Sequence, residues 1–385
     1  MKILILQSKS ALGFTSGELR VAKNELHLLN SYGHQVELVE YGPGKLNNIF
    51  SKIYYVLNSV WSFKSYYEIK NILNETMPDI VHFHGLYPFL TLSSLIAAKK
   101  SQSKVILTLH NVSLVCLEGA FYRKGKFCNK CLTKSQLNGV FYGCYKNSIA
   151  SFFRYISNKI SYIFKIYDRS CDKIISVSDF IKEMHSSKFS NELITKYNYV
   201  IEKTKKNKVE PIDKTITFIG RLTYSKGVDT LIYLLNKLEN VNINIIGNGP
   251  ELNLITDLLQ NRKNNNLIKI FSNLSNNLVQ EIIQESSCVI IPSICAESFS
   301  LVAAEAMINK TPIVCYNVGG LGEIVKKSNS GIVVEVNDKL LFKKSISLIL
   351  SDHLNSKKMG LNGYVFAKKN FSREKNYNIL SEIYK

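Results

Sequence analysis

Arg221 and Lys226 follow the apolar run 215–220 and precede an amphipathic stretch through Val228, Leu231, Leu235 and Leu238. That order puts two cations at the N-terminus of a helix, where unpaired N–H groups and the helix dipole already favour an anion. A phosphate or diphosphate suits such a place, because Arg offers a planar fork and Lys a point charge to a leaving group that gains negative charge. Glu297 and Glu305 follow a second apolar run, 288–292. Ser300 reads as the N-cap of a helix from Leu301, so Glu297 lies in the loop before it and Glu305 in its second turn, roughly 7 Å further along the axis. Each carboxylate accepts from two neighbouring hydroxyls at once, which fits a sugar, a diphosphate and a ribose in a row. Taken singly, the same residues also read as solvated surface cations and carboxylates.

Other residues at the ends of apolar runs could take part. His110 ends the run 104–110 and could bond a phosphate or a sugar hydroxyl, or be merely structural. Gly17 allows close approach of backbone to a ligand, and Gly247, Gly249 and the pair Gly319–Gly320 read as tight turns. Cys116, Cys128, Cys131 and Cys144 are four of eight cysteines, and Cys128-x2-Cys131 has zinc-knuckle spacing. A structural zinc, two disulfides and four thiols are the alternatives, with disulfides disfavoured in a cytoplasmic protein. The surrounding stretch 121–173 interleaves Arg154, Lys159, Lys165 and other cations with Phe141, Phe152, Tyr162 and Phe164, against only Asp168 and Asp172. It reads either as a basic amphipathic surface for anionic lipid or as helices whose aromatics face the core.

The elements that must position these residues repeat one pattern. Runs at 2–6, 36–39, 79–84, 104–110 and 173–178 read as parallel strands buried on both faces, with a helix from about Glu18 that stops at Gly33. A charged linker at 202–211 separates them from a second set of strands at 215–220, 241–247, 267–271, 288–292, 312–316 and 331–336, with helices near 228–238, 250–260, 277–286, 300–308 and 338–351. Two doubly wound α/β domains in tandem are expected, with ligands at the carboxyl ends of the strands. The composition agrees: 385 residues, 45% hydrophobic and 21% charged, with 7 Pro and no repeat, exclude disorder and solenoids. The N-terminal apolar run is too short for a secretory or membrane-spanning segment, which predicts a cytoplasmic location. A net charge of +19 asks for an anionic partner.

In this order the residues resemble glycosyltransferase family 4. The most specific part is Glu297-x7-Glu305 around Phe299-Ser300-Leu301, followed by Gly220-Arg221-Leu-x3-Lys226-Gly227, Gly247-x-Gly249-Pro250 and Val318-Gly319-Gly320-x2-Glu323. The resemblance implies a GT-B architecture, two Rossmann-like domains facing across a cleft, over 1–205 and 206–365, with a Cys-rich basic insertion at about 112–147. It implies a C-terminal helix at 366–385 that crosses back to the first domain. It further implies a retaining hexosyltransferase with a nucleotide diphosphate sugar donor and no cofactor or metal required for catalysis, in agreement with the absence of an Asp-x-Asp motif. Glu297 and His110 then act at the donor sugar, Glu305 at the ribose, and Arg221 and Lys226 at the diphosphate. Gly17, Gly249, Phe299, Ser300 and Leu301 complete the donor site. The acceptor is expected to be a lipid-linked saccharide in capsule, O-antigen or exopolysaccharide synthesis, with the protein peripheral on the anionic inner face of the cytoplasmic membrane. One departure is Thr15-Ser16-Gly17-Glu18 where the family often carries a Gly-Gly pair. A nicotinamide dehydrogenase lacks its Gly-x-Gly-x-x-Gly turn here, a nucleic-acid-binding protein lacks any known motif, and a sugar-nucleotide epimerase would lack the family 4 motif set.

Overall fold

The computed structural model describes residues 1–9, 17–43, 48–202, 214–260 and 267–385, so most of the sequence linker, 203–211, lies outside the described residues. The chain forms two compact units. The first comprises Met1–Phe121, Cys128–Asn198 and Asn376–Lys385, and the second Tyr122–Phe127 and Tyr199–Lys375.

The first unit is built on six parallel strands: β1 (Lys2–Ser8), β2 (Gln35–Tyr41), β3 (Ile80–Gly85), β4 (Lys104–Leu109), β5 (Lys173–Ser176) and β6 (Leu193–Thr195), in the order β2-β1-β3-β4-β5-β6. Ile5 of β1 faces Leu38 on one side and His82 on the other. Ile3 to Leu6 are at most 2% exposed, as a central strand covered by helices on both faces requires. Each such side chain contributes about 1.5–3 kcal/mol by leaving water. The principal helices of this unit are α1 (Gly17–Ser31), α2 (Ile49–Leu57), α3 (Phe63–Thr76) and α4 (Ser148–Ile163). Asn147 caps α4 by accepting from the Ala150 N–H at 2.8 Å.

The second unit repeats the design with β7 (Thr215–Ile219), β8 (Asn242–Ile246), β9 (Ile268–Phe271), β10 (Cys288–Ile291), β11 (Ile313–Tyr316) and β12 (Gly331–Val334), in the order β9-β8-β7-β10-β11-β12. All its pairings are parallel. Its site-bearing helices are α5 (Val228–Lys237), α6 (Leu301–Ile308) and α7 (Gly319–Ser328), and α8 (His353–Asn370) packs on α6. In each sheet one gap between neighbouring strands is where the winding direction reverses. In the first unit it lies between β1 and β3, in the second between β7 and β10, and such gaps open a crevice at the carboxyl ends of the strands.

Some elements differ from the sequence expectation. β6 is a strand of three residues with one buried side chain, too short to leave a periodic signature. Gly319 and Gly320 open α7 instead of forming a tight turn. The single C-terminal helix is two, α8 and α9 (Arg373–Tyr384), because Ser372 restarts the chain by capping the Lys375 N–H. The last nine residues of α9 and the terminal Lys385 belong to the first unit.

Candidate active site

In the second unit, the loops after β7, β8, β10 and β11 are laced together by backbone. Behind β7 come Arg221 and a 3-10 turn, Tyr224–Lys226. Gly227 then takes φ +84°, and a Cβ there would stand 1.9 Å from the Pro292 carbonyl oxygen, so only glycine lets the β7 and β10 loops lie against each other. The contact is fixed where the Ile294 N–H donates to the Ser225 carbonyl at 2.9 Å. Gly249 does the same for the β8 loop, since its Cβ would meet the Leu222 carbonyl oxygen at 2.3 Å. From the β11 side the Gly320 N–H donates to the Glu297 carbonyl at 2.7 Å.

This lacing brings two of the sequence candidates into direct contact. Lys226 Nζ donates to Glu297 Oε1 at 2.6 Å, and Ser293 Oγ donates to the same oxygen at 2.7 Å. Burial opposes both charges, but each outweighs that penalty for the other. The Glu297 carboxyl is held below its usual range and the Lys226 ammonium is raised above its own. Glu297 Oε2 is engaged by neither partner and keeps its capacity to accept from a hydroxyl. Arg221 is exposed at the mouth of the same loop.

Ser300 occupies the N-cap position of α6 but does not act as the cap expected from the sequence. Its φ of 72° and ψ of 90° lie outside the extended region from which a hydroxyl folds back over the first turn, and its side chain makes no capping bond. A non-glycine residue held at such angles is strained, a state that concentrates at functional sites. Leu301 follows, half-buried, as the first residue of α6. The Phe299 ring is interior, edge-on to Phe371 at a centroid distance of 5.0 Å. Glu305 is 3% exposed in the second turn of α6, far from the exposed surface carboxylate that one reading of the sequence allowed.

In the first unit Gly17 opens α1 and is exposed; residues 10–16, with Thr15 and Ser16, lie outside the described residues. His110 sits at the end of a hydrogen-bonded chain that sequence reasoning missed. Lys196 Nζ donates to Glu25 Oε1 at 2.6 Å, His84 Nε2 stands 3.1 Å from Glu25 Oε2, and His84 Nδ1 stands 3.1 Å from His110 Nε2. Burial raises the cost of the Glu25 charge, yet Lys196, His84 and His82 hold its carboxyl well below the usual range. An ionised Glu25 accepts from His84 Nε2–H, and His84 in turn ties His110 Nε2 into the same chain, which leaves His110 Nδ1 unengaged by this network. Burial, then the neighbouring His84, hold His110 itself well below the usual histidine range, so it is neutral.

Glu25, His82 and His84 are the one group of three ligand-type side chains whose atoms gather within 4.8 Å among the described residues. It is a hydrogen-bonded ion network rather than a vacant metal centre. His82 Nδ1 and Nε2 already bond Tyr384 OH at 2.8 Å and Thr108 Oγ1 at 2.7 Å, both His84 nitrogens are engaged, and Lys196 supplies the neutralising charge. A signal for it was present: alternate residues of a strand point to one side, and His82 and His84 alternate on β3.

Cys116 and Cys131 bond each other, and Cys144 lies near Cys131. Gly119 and Phe121 N–H groups donate to the Cys116 sulfur, and Leu117 and Gly139 to that of Cys131. The Cys131 thiol is thereby lowered to about 7, chiefly by the Cys116 bond. The Cys128 N–H donates to the Phe121 carbonyl at 2.7 Å, which seats it beside the Cys116 loop. No disulfide joins any cysteine among the described residues, and no three of the four sulfurs gather within 4.8 Å.

Among the described residues no helix is long and apolar enough to cross a membrane. The basic aromatic stretch divides: Tyr167 turns inward, whereas Phe141, Phe152, Tyr162 and Phe164 are exposed.

Residues 17–195 match the family model described as Glycosyltransferase Family 4, and residues 200–366 the model described as Glycosyl transferases group 1. The chain is 28% identical to an uncharacterized glycosyltransferase of Methanocaldococcus jannaschii over 92% of this chain and 88% of that protein. It is 28% identical to an uncharacterized 42.6 kDa protein in the cps region of Klebsiella pneumoniae, over 72% of this chain and 67% of that one. Its fold matches that of Anabaena HepE, solved in complex with UDP-glucose, with a TM-score of 0.68 at 16% identity, covering 100% of this chain and 99% of that one.

Proposed function

Because the chain belongs to the family 4 glycosyltransferases with the GT-B fold, we propose that it moves a hexose from a nucleotide diphosphate sugar to a saccharide acceptor with retention of anomeric configuration and without a divalent metal. The observation that carries this reading is the Lys226–Glu297 pair at the winding reversal of the second sheet, beside the first turn of α6, which lacks a side-chain cap. Lys226, Arg221 and the N–H groups at the start of α6 neutralise the departing diphosphate, and Glu297 Oε2 accepts from a hydroxyl of the donor sugar. Glu305 serves the ribose. His110, neutral, bonds a sugar hydroxyl through its remaining ring nitrogen. The chain supplies no evident nucleophile at this place, which favours front-face substitution over a covalent intermediate. The acceptor is a lipid-linked saccharide of surface polysaccharide assembly, met at the inner face of the cytoplasmic membrane; the likeness to a protein of a cps region and the exposed Phe141, Phe152, Tyr162 and Phe164 favour this reading.

The test is a panel of nucleotide sugars in EDTA, read by thermal shift and by release of nucleoside diphosphate. A donor at 100 times its Kd stabilises the fold by about 2.7 kcal/mol. Lys226→Ala and Glu297→Ala are expected to lower turnover by about 10²–10³ while the melting transition stays cooperative. Silence across the panel, or wild-type turnover in both variants, refutes the assignment.

A further inference from the structure

Helix α4 is amphipathic in an inverted sense. The side it buries is polar, with Ser151, Arg154, Ser157, Asn158 and Ser161, while Ile149, Phe152, Tyr162 and Ile163 are exposed. Arg154, 4% exposed, lies over the Tyr87 ring with its guanidinium carbon 3.4 Å from the centroid, and Tyr87 is held by a hydroxyl bond to Ser157 one turn on. The stacked ring fixes the guanidinium plane and attracts its charge, but accepts none of its in-plane N–H bonds. Arg154 Nε and Nη1 are buried and meet no acceptor among the described residues. A buried guanidinium with unmet donors is a costly arrangement for a fold to keep.

The same Arg154 side chain lines a cavity of about 70 Å³ at the carboxyl ends of β3 and β4, together with Tyr87, Glu18, His84, His110 and Asn111 among others. Arg154 is the one arginine or lysine among its lining residues. Glu18, the one carboxylate there, already accepts from Asn111 Nδ2 at 2.9 Å; burial raises its carboxyl while the Arg154 charge acts the other way, and the two make no ion pair among the described residues. His110 is neutral, and the His84 nitrogens are bound to Glu25 and His110. Leu114 and Tyr167 also wall a second cavity of about 350 Å³, where Lys134, Lys159, Lys165 and Lys188 stand against Asp168 alone. Asp168 is itself occupied by the Ser190 and Asn191 N–H groups.

From the unmet Arg154 donors and this cavity we infer an oxyanion subsite in the first unit: Arg154 anchors a carboxylate or phosphate group carried by the acceptor. The inference rests on the glycosyltransferase reading above and narrows its acceptor to an acidic one.

Full-length protein, saturated with UDP so that phosphate cannot occupy a diphosphate site, is titrated with inorganic phosphate, methyl glucuronide and methyl glucoside while its melting temperature is followed. We expect a saturable rise with phosphate or glucuronide, none with glucoside, and at least an about tenfold weaker response in Arg154→Gln, whose UDP response is unchanged. Arg154→Lys keeps a point charge and is expected to retain part of the response. Should Arg154→Gln not fold, a tungstate soak of wild-type crystals is expected to place anomalous density at Arg154. A response to glucuronide alone points to an acidic sugar and one to phosphate alone to a phosphorylated acceptor, and either supports the subsite. An oxyanion response independent of Arg154, an equal response to glucoside, or no density at Arg154 overturns it. If no nucleoside diphosphate of a panel that includes UDP affects the wild type while the Arg154-dependent anion response persists, the donor reading fails and the subsite stands.

Discussion

The chemistry of the first unit hangs on one buried carboxylate. Glu25 and Lys196 are each about 1% exposed, so neither charge can be solvated if the other is removed. Glu25→Gln is expected to cost about 3–5 kcal/mol in urea unfolding. Adding Lys196→Met should recover a large part of that loss, because no lone charge then remains inside. A double variant as unstable as the single one would show that the carboxylate is kept for its bonds to His84 rather than for its ion pair. In the second unit the corresponding pair, Lys226–Glu297, is more open, with the lysine side chain one-third exposed. That exposure leaves Lys226 within reach of a ligand, whereas Lys196 is sealed away.

At the scale of elements, α4 serves two environments at once. Its polar side closes over Tyr87 and the small cavity, while Phe152 and Tyr162 are exposed, with Lys159 exposed on the same helix and Lys165 just beyond its end. Such a surface suits an anionic leaflet, to which each basic residue adds about 1 kcal/mol. Flotation with anionic vesicles at low salt should recover the protein with the lipid, and Phe141→Glu with Phe152→Glu should weaken that partition at least about tenfold. A wild-type protein that stays in the soluble fraction refutes the surface. The Cys116–Cys144 segment ahead of α4 is proposed to hold a structural zinc. The fit rests on N–H donors aimed at the sulfurs of Cys116 and Cys131 and on the Cys131 thiol lowered to about 7; the Cys116 thiol, bonded to Cys131, is pushed up until a metal replaces that bond, and Cys128 and Cys144 must move in to complete four ligands. Protein purified without chelator should carry about one equivalent of zinc, lost in Cys131→Ser. Less than about half an equivalent, with all four thiols reacting in the native state, excludes it.

For the molecule as a whole, buried histidines set the response to acid. His82 and His185 are fully buried, and burial holds both below the usual range, His185 at about 4. The unfolded chain binds protons on histidine near pH 6.5 and the folded chain does so only lower, so stability falls as pH drops from about 6.5 toward 4. Each histidine contributes up to about 1.4 kcal/mol per pH unit in that window. Glu25 works in the next one: its folded pKa is depressed, so its contribution holds above about 4.5 and is lost as pH falls through the folded value. Urea midpoints at pH 7.5, 6.0 and 5.0 should decline steadily, and His185→Leu should flatten the decline by about one histidine's share. A pH-independent midpoint contradicts the buried, neutral assignment.

Periodicity and loop chemistry in the sequence determined the two alternating α/β halves and eleven of the sheet strands, because parallel strands buried on both faces need continuous β-branched runs that stand out locally. They also determined that Arg221, Lys226, Glu297 and Ser300 follow strands, where ligands bind. What tertiary structure decided is which of these meet. That Lys226 bonds Glu297 depends on Gly227 letting two loops, 71 residues apart in sequence, lie against each other. That Ser300 is strained and not a cap depends on the path of the β10 loop, which no residue pattern specifies. The Glu25–His84–His110 chain and the unmet donors of Arg154 were invisible for the same reason. A side chain's partners come from elements far off in sequence, and an arginine that is one of eleven cations interleaved with aromatics reads as surface until the fold turns it inward.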